Sequence, residues 1–176
     1  QAKIAAPGQP KIFVSHRRCD LYQALRIAWL ADQEGFEFWL DALDPLLQQF
    51  QKLIGRPVSP HQNALATAAI IEMALLNSTH VIATMTTNTP GSQWVPYEYG
   101  RVKDAVVFTT QAGCWVAPNL NQQKIPEYLY LGKITHSECD IRKWLASEFS
   151  TWRSNQPGST AAAPAGHWSG PPPPPL

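Results

Sequence analysis

Apolar residues first appear in the chain as one short unbroken run, Lys11-Ile-Phe-Val-Ser15, and then at helical intervals, Leu21, Ala24, Leu25, Ala28 and Ala31. The run predicts a strand buried on both faces, and the three- and four-residue spacing predicts a helix laid against it. Asp20 stands at the N-cap position of that helix, and Gly35 closes it. Phe36-Glu-Phe-Trp-Leu-Asp41 reads as a second strand. From Ala42 to His61 the periodicity fails while Pro45, Gly55, Pro57 and Pro60 recur, which predicts a long loop with room for one helical turn. Residues 63–77, rich in Ala, Leu and Ile, predict a buried helix that leads into a third strand, Val81-Ile-Ala-Thr-Met-Thr86. A helix over the Trp94 region follows, with Ser92 as its cap and Pro96 in its first turn, where a missing N–H costs little. Ala105-Val-Val-Phe-Thr109 predicts a fourth strand and Tyr128-Leu-Tyr-Leu131 a fifth. The last periodic segment starts at Asp140 and places Ile141, Trp144, Leu145, Phe149 and Trp152 on one stripe.

Strands alternating with helices predict an α/β fold, a flavodoxin-like three-layer sandwich with a central, mostly parallel five-stranded sheet. Ligands in such folds bind beyond the carboxyl ends of the strands. The candidate positions are therefore 15–20, 39–44, 86–98 and 109–115. Residues 1–9 read as a flexible N-terminus and residues 10–153 as one domain. Residues 154–176 turn to Gly, Ser, Ala and Pro and end in PPPPPL, which predicts a disordered tail or linker, either a passive spacer or a polyproline ligand for an SH3-type groove.

Charge adds little to this picture. Fourteen Lys and Arg against thirteen Asp and Glu give a net charge of +1, and no Lys/Arg run offers an electrostatic grip on nucleic acid. No apolar run reaches the roughly 20 residues that span a bilayer, and the first residues lack a signal-peptide core, so a cytoplasmic protein is expected. The three cysteines, Cys19, Cys114 and Cys139, do not make a disulfide framework, and His136 with Cys139 has no second pair to complete a metal site. No metal and no cofactor are expected.

The densest chemistry lies in "GSQWVPYEYGR", where Trp94, Glu98 and Arg101 fall at i, i+4 and i+7 and share a helical face. That face is either an amphipathic seam with a Glu98–Arg101 ion pair or a carboxylate held beside a ring that stacks a ligand.

Four stretches in order, "KIFVSHRRCD", "GFEFWLD", "ALLNSTHVIATMT" and "SQWVPYEYGR", resemble a bacterial TIR (Toll/interleukin-1 receptor) domain over roughly residues 10–152. Residues 42–61 depart from the family, whose second loop is shorter and carries a glycine pattern absent here. The resemblance implies an enzyme that cleaves the nicotinamide–ribose bond of NAD+, with NAD+ as substrate rather than cofactor. Its products would be nicotinamide and either ADP-ribose or a cyclic isomer, made as a signal in antiphage defence. It implies Glu98 as the catalytic carboxylate, Trp39 against the nicotinamide, and Trp94 at an assembled active site. Arg17 and Arg18 would approach the substrate phosphates, while Ser15 either donates to substrate or closes the strand end. His16 is read as a backbone-bonding residue of the same loop. Self-association through TIR–TIR contacts and an attached sensor or effector module are the expected partners. Two other functions compete with this one. A non-catalytic TIR interaction module would leave NAD+ untouched, and an enzyme like the nucleoside 2-deoxyribosyltransferases would exchange bases on deoxynucleosides.

Overall fold

The computed structural model describes residues 9–52, 60–102, 110–155 and 168–176. Five parallel strands form one sheet in the order β2-β1-β3-β4-β5: β1 Lys11–Ser15, β2 Glu37–Trp39, β3 His80–Met85, β4 Ala112–Val116 and β5 Lys133–Thr135. Five helices connect and cover them: α1 Leu21–Gln33, α2 Pro45–Lys52, α3 Pro60–Leu76, α4 Trp94–Val102 and α5 Glu138–Ser154. The sheet that was expected to be mostly parallel is parallel throughout. Among the described residues no helix is long and apolar enough to cross a membrane.

Each central strand is buried on both faces, so the sheet separates two apolar clusters. Ile12, Val14, Ile82 and Trp115 pack under α1 and α5, while Phe13, Val81, Ala83, Met85 and Cys114 pack under α3 and α4. Alternate residues of one strand thus feed opposite layers, as the two-residue period of a strand requires. Gly35 ends α1 at φ +88°, and a Cβ there would also strike the ring of Phe149 on α5, so this position needs glycine twice over.

Two predicted segments differ, and a third lies outside the described residues. The predicted fourth strand, Ala105 to Thr109, lies outside the described residues; the fourth strand among the described residues is Ala112–Val116. Its Gly113 weakens the apolar pattern for a physical reason: a Cβ there would lie 2.9 Å from the Trp144 indole, which uses the space. The predicted fifth strand, Tyr128 to Leu131, is part of a 3-10 turn, Glu127–Leu131, and the edge strand comes just after it at Lys133–Thr135. Leu129 is buried from that turn and Tyr128 packs on Tyr99, so the alternating apolar residues serve a turn lying on the core. Gly132 lets the chain press against the Ala112 carbonyl and the Tyr99 hydroxyl, a contact no side chain would permit. The loop expected over residues 42–61 contains α2, whose start is set by Asp44: one carboxylate oxygen accepts the Leu46 and Leu47 N–H groups at 2.8 and 3.0 Å. Pro45 takes the first helical position, where its lack of an N–H is harmless.

Asp20 is not the side-chain cap of α1. Its carboxylate accepts instead from the Thr86 hydroxyl at 2.9 Å and the Asn88 amide at 2.7 Å, tying the loop after β1 to the loop after β3. Residues 168–176, at the end of the expected tail, touch the domain. Trp168 packs on Phe38, Arg26 donates to the Pro173 carbonyl at 2.9 Å, and the Leu176 N–H donates to Glu138 at 2.8 Å.

Candidate functional site

The order 2-1-3-4-5 places a crevice where the connections from β1 and β3 leave in opposite directions, beyond the carboxyl ends of those strands. Ser15 is the last residue of β1 and is almost wholly buried. Above it, on the second turn of α4, Glu98 is only 6% exposed, and the Ser15 hydroxyl donates to its Oε2 at 2.5 Å. The helix that holds Glu98 begins as the sequence predicts, with the Ser92 hydroxyl accepting the Val95 N–H at 3.2 Å and Pro96 within the first turn.

Burial is the main reason the Glu98 carboxyl titrates high, pushed up to about 7. The Ser15 hydroxyl opposes that shift by stabilising the charged form, and the negative charge of Asp41 adds to it. Asp41 stands just past β2, half-exposed, with its carboxylate 3.4 Å from the Nε2 of the buried His16 side chain. The other ring nitrogen of His16 lies 3.3 Å from the Val14 carbonyl. Asp41 also accepts the N–H of Ala42 at 2.6 Å, which closes the turn after β2.

Trp39 ends β2 opposite Phe13 in the ladder, and the two rings stack with centroids 4.6 Å apart and planes 23° from parallel. Its indole N–H donates to Asp44 at 2.9 Å, so the ring is held at its edge and on one face. It packs with the α3/α4 cluster, the same side of the sheet as Glu98.

Ser15, His16 and Glu98, with Asp41, therefore form one connected group, and Trp39 stands at the end of the neighbouring strand on the same side. Arg17 is half-buried and Arg18 exposed in the loop just after β1; among the described residues neither guanidinium has a hydrogen-bond or ion-pair partner. Trp94 is not brought to the carboxylate. It is 43% exposed, meets Tyr97 edge-on at 6.0 Å, and lines a shallow surface depression with Ala68, Gln93 and Tyr97.

The face expected to join Trp94, Glu98 and Arg101 thus divides. Arg101 reaches across to α3 and pairs with Glu72 at 2.7 Å, and the Tyr97 hydroxyl donates to the same carboxylate at 2.6 Å. Glu98 is left without the arginine that the ion-pair reading gave it. Glu72 had no signal of its own in the sequence, since its pairing crosses 29 positions. The influence of Asp41 on Glu98 was equally hidden, because only the sheet brings residue 41 near residue 98. Among the described residues no three His, Cys, Asp or Glu side chains gather as a metal site would need.

These features define a flavodoxin-like α/β protein with a protonatable carboxylate buried at the switch point of its sheet. Compared with models of known protein families, the chain matches none, and it matches no curated protein.

Proposed function

We propose that the chain is a TIR-type enzyme that cleaves the nicotinamide–ribose bond of NAD+, with Glu98 as its catalytic carboxylate. The observation that carries this reading is the placement of Glu98: buried at the carboxyl end of β1, bonded to a neutral hydroxyl, and not neutralised by Arg101. A structural glutamate on a helix face gains little from such a position, because burial without a cation disfavours its charge. A carboxylate awaiting a cationic substrate gains a great deal.

In the reaction, the bond between the ribose C1′ and the pyridinium nitrogen breaks, and its electron pair leaves with nicotinamide, which departs neutral and needs no acid. The developing positive charge on the ribose is stabilised by ionised Glu98 in a site of low polarity, where the attraction is little screened. Water attacking C1′ and losing its proton gives ADP-ribose. A hydroxyl or adenine nitrogen of the same molecule attacking first gives a cyclic isomer. Trp39, already held by Phe13 and Asp44, offers a flat surface for the pyridinium. Arg17 and Arg18, without protein partners among the described residues, are suited to the pyrophosphate. A cytoplasmic setting and a role in antiphage signalling belong to the same proposal.

A second reading, the interaction module, has one observation in its favour. Leu65, Met73 and Leu76 of α3 and Trp94 and Tyr97 of α4 are large apolar side chains left exposed on the neighbouring helices. The experiment that separates the two is chromatography of NAD+ incubated with the chain over a range of protein concentrations, beside Glu98→Ala. Nicotinamide release by the parent and not by the variant supports the enzyme. Absence of release at every concentration favours the module, and base exchange on deoxynucleosides without NAD+ cleavage favours the transferase.

A further inference from the structure

The proline run Pro171 to Pro175 is tied to α1 and α5. Arg26 of α1 donates to the Pro173 carbonyl at 2.9 Å, and Glu138 of α5 accepts the Leu176 N–H at 2.8 Å. Ahead of the run, Trp168 packs on Phe38. The Trp168 backbone N–H donates to Asp32 at 3.3 Å, and its indole N–H donates to the Pro171 carbonyl at 3.1 Å. The segment is therefore anchored before, within and after its prolines.

A proline ring holds φ near about −65°, and each residue before a proline is kept extended, so five prolines in succession dictate a polyproline II helix. Such a helix repeats about every three residues. Exposure along the segment follows that period: Pro173 and Leu176 are half-buried, whereas Pro171, Pro172, Pro174 and Pro175 are exposed. One ridge of the helix is taken up by docking, and the other two face outward. They carry two overlapping Pro-x-x-Pro pairs, Pro171 with Pro174 and Pro172 with Pro175.

Grooves that read polyproline grip two such ridges between flat aromatic side chains and leave the third pointing away. The docked segment presents the complement of that shape. It is also rigid, so little conformational freedom is lost when a partner closes on it, and its anchors fix which four rings face out. Residues 168–176 include no Lys, Arg, Asp or Glu, so a matching groove has no side-chain charge to complement.

We propose that residues 171–175 are a recognition surface for a second protein that carries an aromatic-lined polyproline groove, which binds the segment while it stays docked on α1 and α5. The inference does not rest on the reading of Glu98.

The test titrates the isotopically labelled full chain with an SH3, a WW and an EVH1 domain in turn, all readers of polyproline. Calorimetry measures binding, and NMR follows the Trp168 indole N–H and the Leu176 N–H. Saturable binding of at least one of these domains is expected, with both signals staying at their docked positions. Replacing the outward pair together, Pro172→Ala with Pro175→Ala, should weaken that binding by about tenfold or more, the scale of losing two buried ring contacts. Pro173→Ala, on the docked ridge, should bind within about twofold of the parent. No binding by any of the three domains, the result for a passive strap, would overturn the proposal. Weakening by Pro173→Ala as large as that of the outward pair would overturn it too. So would movement of the Trp168 and Leu176 signals to free-chain positions on binding, since the partner would then be reading an undocked tail.

Discussion

Two glutamates in this molecule are almost equally buried, Glu98 at the carboxyl end of the sheet and Glu148 near its amino end, at 6% and 5% exposure. They differ in what faces them. Glu148 lies 3.4 Å from the Nε2 of His80, a ring that can carry the opposite charge, and His80 is itself fixed by Thr79 at 2.8 Å and boxed by Phe36 and Trp144. Glu98 has a hydroxyl on one side and the negative Asp41 nearby. The first arrangement satisfies a buried acid from within the protein, whereas the second leaves its charge to be answered by something that enters. Burial alone does not point to a functional residue; burial with the complement withheld makes Glu98 the candidate.

The largest expected effect breaks this comparison at Glu98. Glu98→Ala should lower NAD+ cleavage by about 10²-fold or more, the usual scale for removing an electrostatic stabiliser of a transition state. Glu148→Leu, read in the same nicotinamide assay per mole of folded protein, should leave turnover near that of the parent. Its effect belongs to stability: leaving His80 buried without its partner should cost about 1–3 kcal/mol in urea denaturation. Were the two results exchanged, the contrast between the two acids would be wrong.

Glu98 should cost the fold stability. Its folded carboxyl holds a proton up to about pH 7, whereas the unfolded one releases it near 4.5. Between those values the folded chain binds more protons, so stability declines as pH rises from about 4.5 to about 7 and levels off above. The total is on the order of 3 kcal/mol. Glu98→Gln, which keeps the shape without the charge, should therefore melt at a higher temperature than the parent at pH 8. The gap should close near pH 5. A melting curve at each pH suffices.

Smaller shifts sharpen the picture of how Glu98 is tuned. The pH profile of the proposed cleavage should have an ascending limb near 7, since the proposed mechanism uses the ionised carboxylate. Ser15→Ala removes the hydroxyl that favours the charge and should move that limb to higher pH, while Asp41→Asn removes a repelling charge and should move it lower. Identical profiles in the two variants would contradict the assignment of these neighbours. The smallest effect is expected from Arg101→Ala, because the Arg101–Glu72 pair is exposed and well screened. It should leave both the melting temperature and cleavage close to the parent values.

Much of the fold was legible because it is written in short-range patterns. The runs at residues 11–15 and 81–86, the spacing of α1 and α5, and the Ser92 cap before Pro96 are local signals, and the structure follows them to within a residue or two. The α/β layering came from their alternation. What local pattern could not show were elements defined by contacts. The strand at Ala112–Val116 is broken in sequence by a glycine that exists to admit Trp144, and the apolar alternation of residues 128–131 belongs to a turn pressed on the core. Asp20 looked like a cap because caps are local; its true partners, Thr86 and Asn88, lie 66 and 68 positions away.

The sequence by itself determined which residues could do chemistry: Ser15, His16, Arg17 and Arg18 after the first strand, Trp39 after the second, and Glu98 on a helix with Trp94 and Arg101. Only the tertiary structure decided which of them meet. It turned Glu98 inward onto Ser15, gave Arg101 to Glu72, left Trp94 on the surface, and set Asp41 where its charge reaches Glu98. Side-chain identity and helical phase are properties of neighbouring residues along the chain. The charge state of a carboxylate depends on solvent exclusion and on distances across the sheet, and those exist only once distant segments have packed together.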